Sequence, residues 1–265
     1  MVNIKTLEQT LKANEFAITA EIPAPISASA SEIEEKIDLL TGHVHAINVT
    51  DNPGATAHMS SLAGCSIVRN KGIDPIFQVT CRDRNRLAIQ SDLMGASALG
   101  INNVLTLAGD PVKNGDQPDA KAVFDVNSKK ILSIMQSMND LGETMSGRQL
   151  QTKSNFFAGG AAIIHEPENN WDPVALKDKV TQGAKFIQTQ FCYDVDLLRD
   201  YMKHIVDAGL SEKLFFIVGI GPLRSDKSAK WMRDKLFGTV IPESIVKRME
   251  QAENQIQEGT AICAE

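Results

Sequence analysis

The chain lacks the signatures of several common functional classes. It has no apolar stretch of the roughly 18 residues that a membrane-spanning helix needs, and its first residues lack the apolar core of a signal peptide. Its four cysteines form no CxxC pair, and no histidine has a second ligand at metal-binding spacing. These absences predict a cytoplasmic protein with reduced thiols, no membrane partner and no catalytic metal.

Nucleotide-binding loops and basic tracts are also missing. No GxGxxG follows a candidate strand and no GxxxxGK(S/T) occurs, which excludes the Rossmann fingerprint and the P-loop. The net charge is −6, and the longest basic cluster, Arg82–Arg86, is short and contains an acid. Such a cluster is too small for a nucleic-acid surface but is in scale with a single anionic ligand.

What the chain does contain is a regular alternation of short apolar segments and amphipathic segments. The apolar segments are rich in Val, Ile, Phe and Thr, as expected of parallel strands that are buried on both faces. Seven strand–helix units predict right-handed crossovers and a (β/α)8 TIM barrel, an α/β fold that suits a length of 265 residues. The candidate strands are 16–22, 45–50, 75–80, 103–108, 155–163, 185–191 and 214–219.

An eighth strand is not found in the sequence. The last candidate strand is followed by a helical stretch over residues 242–264. We therefore expect a single βα-barrel catalytic domain over residues 1–265, with its eighth strand missing, and a natural protein that continues beyond Glu265.

Polar residues at the ends of the candidate strands are the strongest functional signal. Glu21 ends the first candidate strand, Thr50 ends the second, and Gly109-Asp110 follows the fourth. Barrel enzymes build their sites from such strand ends, and the apolar neighbours of Glu21 would raise the pKa of its carboxyl, as suits a general acid. Two structural alternatives stay open: Glu21 as a solvated strand-end residue, and Asp110 as a turn residue that caps the following amides.

Three further candidates also have ordinary structural alternatives. Gln188 and Gln190 flank Thr189 at the end of the sixth candidate strand, where carboxamides can recognise the donor and acceptor edge of a heterocycle. The alternative for these amides is a hydrogen-bond network inside the protein. The spacing around Lys179 favours a solvated helix lysine.

Several blocks of sequence, in one order along the chain, resemble the methylenetetrahydrofolate reductase family of flavin-dependent barrel enzymes. The resemblance extends from Glu21 to about Cys263. Its most specific blocks are Arg84-Asn85-Arg86, Ser91–Ala96, Ala98–Ile101, Leu107–Asp110, Phe186–Phe191 with Asp194, and Gly219–Leu223.

The resemblance implies reduction of 5,10-methylenetetrahydrofolate to 5-methyltetrahydrofolate in one-carbon metabolism, with FAD as cofactor and FMN as the alternative. Glu21 matches the general acid of the family, and Asp110 matches a carboxylate that stabilises the 5-iminium cation of the folate. Gln190 matches the glutamine that contacts folate. Both acids are thereby also substrate-binding residues.

The family's flavin-contact positions map to a second set of residues in this chain. The matching positions are Thr50, Gln78, Gly109, Asp110 and Lys179. At Gln78 the family has a histidine, and at Ala108 it often has an arginine. The segment Arg224-Ser225-Asp226 lacks the aromatic residue that contacts nicotinamide in the well-known bacterial form, so the donor is either a reduced nicotinamide or another electron donor.

The resemblance also implies a homo-oligomer, which is common in the family. Two alternative functions for this chain involve the same pterin. One is a tetrahydrofolate-dependent methyltransferase barrel without flavin, and the other is a non-catalytic folate-binding subunit of a larger complex.

Overall fold

The computed structural model describes residues 5–168 and 171–265. Its strands follow chain order, β1 to β7, in a sheet whose assigned pairs are parallel. All seven predicted strands are confirmed, and the described residues contain no eighth strand. The strands are β1 (Thr19–Ile22), β2 (Ala46–Val49), β3 (Asp74–Thr80), β4 (Asn103–Leu107), β5 (Phe157–Ala162), β6 (Phe186–Phe191) and β7 (Phe215–Gly219).

The helices occupy most of the segments between these strands. Side-chain caps define several of their starts: Asn85 accepts from the amides of Leu87 and Ala88, both at 3.1 Å, and Asp194 accepts from Leu197 at 2.9 Å. The helices are α1 (Leu7–Lys12), α2 (Ser31–Leu40), α3 (Ser61–Asn70), α4 (Arg86–Ala98), α5 (Ser128–Asp140), α6 (Val174–Thr181), α7 (Val195–Asp207), α8 (Asp226–Lys235), α9 (Glu243–Gln251) and α10 (Gln255–Ala264).

The predicted helical stretch over 242–264 is two helices rather than one. Helix α9 ends at Gln251, and the Asn254 side chain accepts from the Gln257 amide at 3.2 Å to begin α10. Asparagine favours such N-cap positions because its short side chain bonds free backbone amides at a helix start. The hydrophobic spacing alone does not reveal this interruption.

The chain divides into two compact units. The first comprises residues up to Gly160 together with Asp178–Lys185. In it β1 to β5 pair in parallel, and the register places Glu21 opposite Asn48 and Gln78 opposite Leu105. Its core is apolar and fully buried along the strands, as the continuous Val/Ile/Phe runs predict: Ile47, Val49, Ile76, Phe77, Val79 and Val104.

The second unit comprises Ala161–Lys177 and Phe186–Glu265. Strands β6 and β7 pair in parallel, with an irregularity between Gln188 and Phe191. The C-terminal helices pack around an apolar cluster of this unit that consists of Tyr193, Leu223, Ala229, Ile241, Val246, Met249 and Ile262.

The described ranges lack two features, a membrane-spanning helix and a metal-binding cluster. No helix in residues 5–168 or 171–265 is long and apolar enough to cross a membrane. In the same ranges no group of three or more His, Cys, Asp and Glu side chains is arranged to hold a metal ion. The four cysteines are free.

Candidate active site

Three neighbouring strands of the first unit bring an acid and two amides together. The Glu21 carboxylate accepts through Oε2 from Asn48 Nδ2 at 3.1 Å and from Gln78 Nε2 at 2.9 Å. The parallel register explains the contact. Asn48 on β2 lies opposite Glu21, and Gln78 lies on β3 two residues beyond Ile76, the register partner of Asn48. Glu21 is exposed, so its expected enclosure by apolar neighbours is wrong, while the two amides are almost fully buried.

The residues that follow β2 are buried and serve as hydrogen-bond acceptors. Thr50 Oγ1 accepts from the Ala24 amide at 3.3 Å. Asp51 Oδ2 accepts from the amide and the hydroxyl of Thr80, at 2.8 and 2.9 Å, and pairs with the Arg84 guanidinium. A buried carboxylate is tolerated only when it is paired and hydrogen-bonded, and Asp51 meets both conditions.

The Gly109-Asp110 pair follows β4 in a turn that requires glycine. Gly109 has φ +92°, and a Cβ there would approach Arg82 Cβ to 3.0 Å and Thr80 Cβ to 3.2 Å. Asp110 Oδ2 accepts from the Gly54 amide at 2.8 Å. Asp110 therefore contacts an amide 56 positions earlier in the chain, which differs from the local turn cap considered as its alternative.

The arginine cluster after β3 is engaged with acids of the chain itself. Arg82 pairs with Asp83 and Arg84 with both Asp51 and Asp92. Burial alone would raise the pKa of the Asp83 carboxyl, but hydrogen bonds from Arg82 and Asn52 outweigh it and hold that pKa below its ordinary value. These partners correct the expectation that the cluster is available for one anionic ligand.

Lys179 is half-buried, which the solvated-lysine alternative did not predict. Its aliphatic chain covers Gly160 within β5, where a Cβ would approach Lys179 Cδ to 3.1 Å. Burial lowers the pKa of the Lys179 ammonium, and the positive charge of Lys129 lowers it further. The surroundings of Lys179 therefore disfavour the charged form of its side chain.

Gln190 lies in the second unit, at the irregular end of β6. Its Oε1 accepts from the Phe191 amide at 3.0 Å, and its Nε2 donates to the Phe237 carbonyl at 3.3 Å. Thr189 is buried beside it and accepts from the Gly219 amide at 3.0 Å. Both ends of the Gln190 carboxamide therefore have backbone partners, as the structural alternative for these amides required.

Three functional candidates of the structure were missed by the sequence analysis. Asn48 holds Glu21 together with Gln78, which the resemblance had named only as a flavin contact, and only the parallel register could have revealed that Asn48 faces Glu21. Arg82 contacts both the Asn52 and the Asp110 carbonyl, which no local pattern predicts. Phe237 is 83% exposed although it is aromatic, and its neighbouring Gly238 packs against Ile163.

The fold and the polar strand ends define the class of the protein. Parallel α/β enzymes of the barrel type carry their sites at the carboxyl ends of the strands, where Glu21, Thr50 and Asp110 lie. The family model of methylenetetrahydrofolate reductase matches residues 6–265. The chain belongs to this family.

Named relatives agree with the family assignment. Methylenetetrahydrofolate reductase 1 of Schizosaccharomyces pombe is 27% identical over 235 residues, which cover 83% of this chain and 36% of the relative. Methylenetetrahydrofolate reductase (NADH) 1 of Zea mays is 25% identical over 276 residues, which cover 98% of this chain and 46% of the relative. The chain thus spans less than half the length of these two relatives.

A solved structure confirms the fold class. An uncharacterised protein from Clostridium thermocellum, described as binding two copies of 5-methyl-5,6,7,8-tetrahydrofolic acid, matches with a TM-score of 0.69. The match covers 97% of this chain and 84% of the other, at 15% sequence identity. At that identity the likeness shows the fold alone.

Proposed function

We propose that this chain reduces 5,10-methylenetetrahydrofolate to 5-methyltetrahydrofolate with FAD as its cofactor. The observation that carries the proposal is the Glu21 carboxylate held by Asn48 and Gln78 at the ends of three adjacent strands. Family membership supports the reaction. The folate bound by the Clostridium thermocellum protein of similar fold supports the substrate class.

In this proposal the two acids divide the work. Glu21 is the general acid that protonates the folate, and the imidazolidine ring then opens to the 5-iminium cation. Two amide donors fix its Oε2, which leaves the orientation of the carboxyl defined before a ligand arrives. Asp110 is exposed, and its negative charge stabilises the cation.

The residues of the first unit fit a flavin. Gly109 lets the turn before Asp110 pack closely on Arg82 and Thr80, because a side chain there is excluded by both φ and crowding. Thr50, Gln78 and Asp110 would supply polar contacts to the ring edge, and the half-buried Lys179 would supply a cation. When bound and reduced, a flavin supplies the hydride of this reaction.

Five finer assignments belong to the same proposal. We place Gln190 in contact with the folate, which requires its carboxamide to exchange at least one of its backbone partners. The protein is proposed to be cytoplasmic, to form a homo-oligomer and to supply methyl groups for methionine biosynthesis. Its electron donor is a reduced nicotinamide or another reductant.

The experiment that tests the proposal does not require the electron donor to be known. The protein is purified with its cofactor, the flavin is released and identified, and the bound flavin is reduced by light without any nicotinamide. Anaerobic mixing with 5,10-methylenetetrahydrofolate should then restore the oxidised-flavin absorbance and yield 5-methyltetrahydrofolate in equal amount. A colourless protein that takes up neither FAD nor FMN, or a reduced flavin that the folate does not oxidise, would contradict the proposal.

A further inference from the structure

Arg82 is a buried cation that joins three loops of the first unit. It is 1% exposed, and its guanidinium donates to both oxygens of Asp83, at 2.6 and 2.7 Å. The remaining donors reach the Asn52 carbonyl at 3.0 Å and the Asp110 carbonyl at 3.1 Å. The loops after β2, β3 and β4 are therefore connected through one side chain.

Asp110 is held by hydrogen bonds to both its backbone carbonyl and its side-chain carboxylate. Arg82 binds the Asp110 backbone carbonyl, while the Gly54 amide binds the Asp110 carboxylate at 2.8 Å. Gly54 belongs to the short turn that begins after Asn52, whose φ of 47° is left-handed. Since Arg82 also binds the Asn52 carbonyl, one guanidinium anchors the backbone of Asp110 and the turn whose Gly54 amide donates to the Asp110 carboxylate.

Close packing supports the same arrangement. A Cβ on Gly115 would lie 2.0 Å from the Ala55 carbonyl oxygen, so the loop after β4 touches the turn after β2 at a second place. Arg82 also packs against Gly109, because a Cβ on Gly109 would lie only 3.0 Å from Arg82 Cβ. Arg82 donates to four separate acceptor atoms, two of Asp83 and the carbonyls of Asn52 and Asp110. A lysine ammonium has only three N–H donors and lacks the planar fork, so it cannot reproduce this set.

We propose that Arg82 is the positioning residue that aims the Asp110 carboxylate through the Asp110 and Asn52 carbonyls. The inference rests on the proposed function in one respect, namely that Asp110 acts on the folate. Arg82 itself touches neither folate nor flavin in this proposal. Since Asp110 would also contact the flavin, replacing Arg82 should slow the folate step more than it weakens flavin binding.

The test is a double-mutant cycle on the flavin-loaded protein, with Arg82→Lys, Asp110→Asn and the double variant. We expect Asp110→Asn to slow reoxidation of the photoreduced flavin by the folate about 100-fold, and Arg82→Lys about 10-fold. Because Arg82 acts through Asp110, the double variant should match Asp110→Asn within about twofold. Arg86→Lys is the control, since Arg86 forms a similar fork with Asp125 but is exposed and contacts neither Asn52 nor Asp110 in the structure.

A second readout does not depend on activity. Hydrogen exchange of the Gly54 amide, followed by NMR with labelled glycine, should accelerate about 10-fold in Arg82→Lys and in Asp110→Asn but not in Arg86→Lys. If Arg82→Lys does not fold, Asp83→Asn loosens the same guanidinium from a partly exposed position and should shift both readouts in the same direction.

The outcomes separate this inference from the proposed function. Independent, multiplicative rate losses with unchanged Gly54 exchange would overturn the positioning role. If the wild-type protein lacks the folate step while Arg82→Lys still frees the Gly54 amide, the proposed function fails and the positioning of Asp110 stands. Equal losses of flavin affinity and rate in Arg82→Lys would also contradict the inference, because they indicate a general loosening of the site.

Discussion

The strand ends of the two units differ in what they present. In the first unit they carry charges that are bound to one another, such as Asp51 with Arg84 and Arg82 with Asp83. In the second unit they carry neutral amides and hydroxyls, such as Thr189 and Gln190, beside exposed apolar side chains. These apolar side chains include Ile163, Val218, Ile220 and Phe237.

This difference between the strand ends indicates two different roles toward a ligand. A charged network that is already hydrogen-bonded needs no reorganisation when charge develops nearby, and this favours catalysis of a cationic step. An exposed apolar surface gains free energy only when something covers it, and this favours binding of a flat ring. We therefore expect substitutions in the first unit to affect rate and stability, and substitutions in the second to affect ligand affinity.

The largest expected effect is on the general acid. Glu21→Gln keeps an oxygen acceptor for Asn48 and Gln78 but removes the proton that the ring opening requires. Reoxidation of the reduced flavin by 5,10-methylenetetrahydrofolate should slow by about 10²- to 10⁴-fold, with flavin content unchanged. Anaerobic stopped-flow absorbance measures both quantities.

Glu15→Gln is the matched control for this change. Glu15 is also an exposed glutamate of the first unit, and its partner is Lys5. It should leave the rate unaltered. Full turnover in Glu21→Gln would remove Glu21 from the mechanism and weaken the contrast between the two units.

The second prediction compares the buried acceptors of the two units. Asp51→Asn removes the charge that pairs with Arg84 and places an amide group against the Thr80 donors, so the free energy of unfolding should fall by about 3 kcal/mol. Thr189→Val removes one neutral acceptor from the Gly219 amide and should lower it by about 1 kcal/mol. Urea unfolding measures both, and a larger loss for Thr189→Val would reverse the comparison.

Much of this fold is predictable from sequence because its signals are local. Each strand is a short apolar run, and β2 and β3 are buried along their whole length on both faces, as at Ile76 and Val79. Glu21 and Asp110 were found for the same reason, since they stand where apolar runs end. The helix boundary at Asn254 was missed because the apolar pattern continues across a cap.

The partners of the site residues are not predictable in the same way. The contact of Asp110 with Gly54 and that of Arg82 with Asn52 join segments that only the parallel sheet brings together. The expectation of a desolvated Glu21 failed because neighbours in sequence alternate between the faces of a strand and do not enclose one another. For Lys179, burial depends on Gly160, which leaves space for its side chain.

The third prediction concerns this lysine. In Lys179→Met the apolar chain still covers Gly160, but the cation is lost, so flavin affinity should fall about 10-fold while the free energy of unfolding does not fall. The folded-state pKa of Lys179 lies below its ordinary value of 10.5, so folding opposes the charge at all pH values below that folded pKa. Any stability gain of the variant is therefore complete below the folded-state pKa and disappears as the pH rises through 10.5.

Fluorescence titration of the apoprotein with flavin and urea unfolding at two pH values provide the measurements. Lys177→Met is the control, because Lys177 is exposed and pairs with Asp172. It should change neither quantity. Unchanged flavin affinity in Lys179→Met would remove Lys179 from the cofactor site.

The smallest expected effect tests the apolar side of the comparison. Phe237→Ala removes an 83% exposed ring, so the free energy of unfolding should change by no more than about 0.5 kcal/mol. The Gln190 amide bonds the backbone carbonyl of residue 237, which the substitution leaves in place. If the exposed ring stacks on the pterin, affinity for 5-methyltetrahydrofolate should fall about 10-fold, and calorimetric titration measures it.

Two companion variants decide what such a loss means. Phe16→Ala removes a ring that is 87% exposed in the first unit, and it should leave folate affinity unchanged. Phe237→Leu keeps apolar area without a planar face, so it should recover less than half of the lost binding free energy if stacking is the interaction. Equal affinity in Phe237→Ala and the wild type would mean that exposure alone does not identify a ligand surface, and the second unit would then retain only Gln190 as a candidate contact to folate.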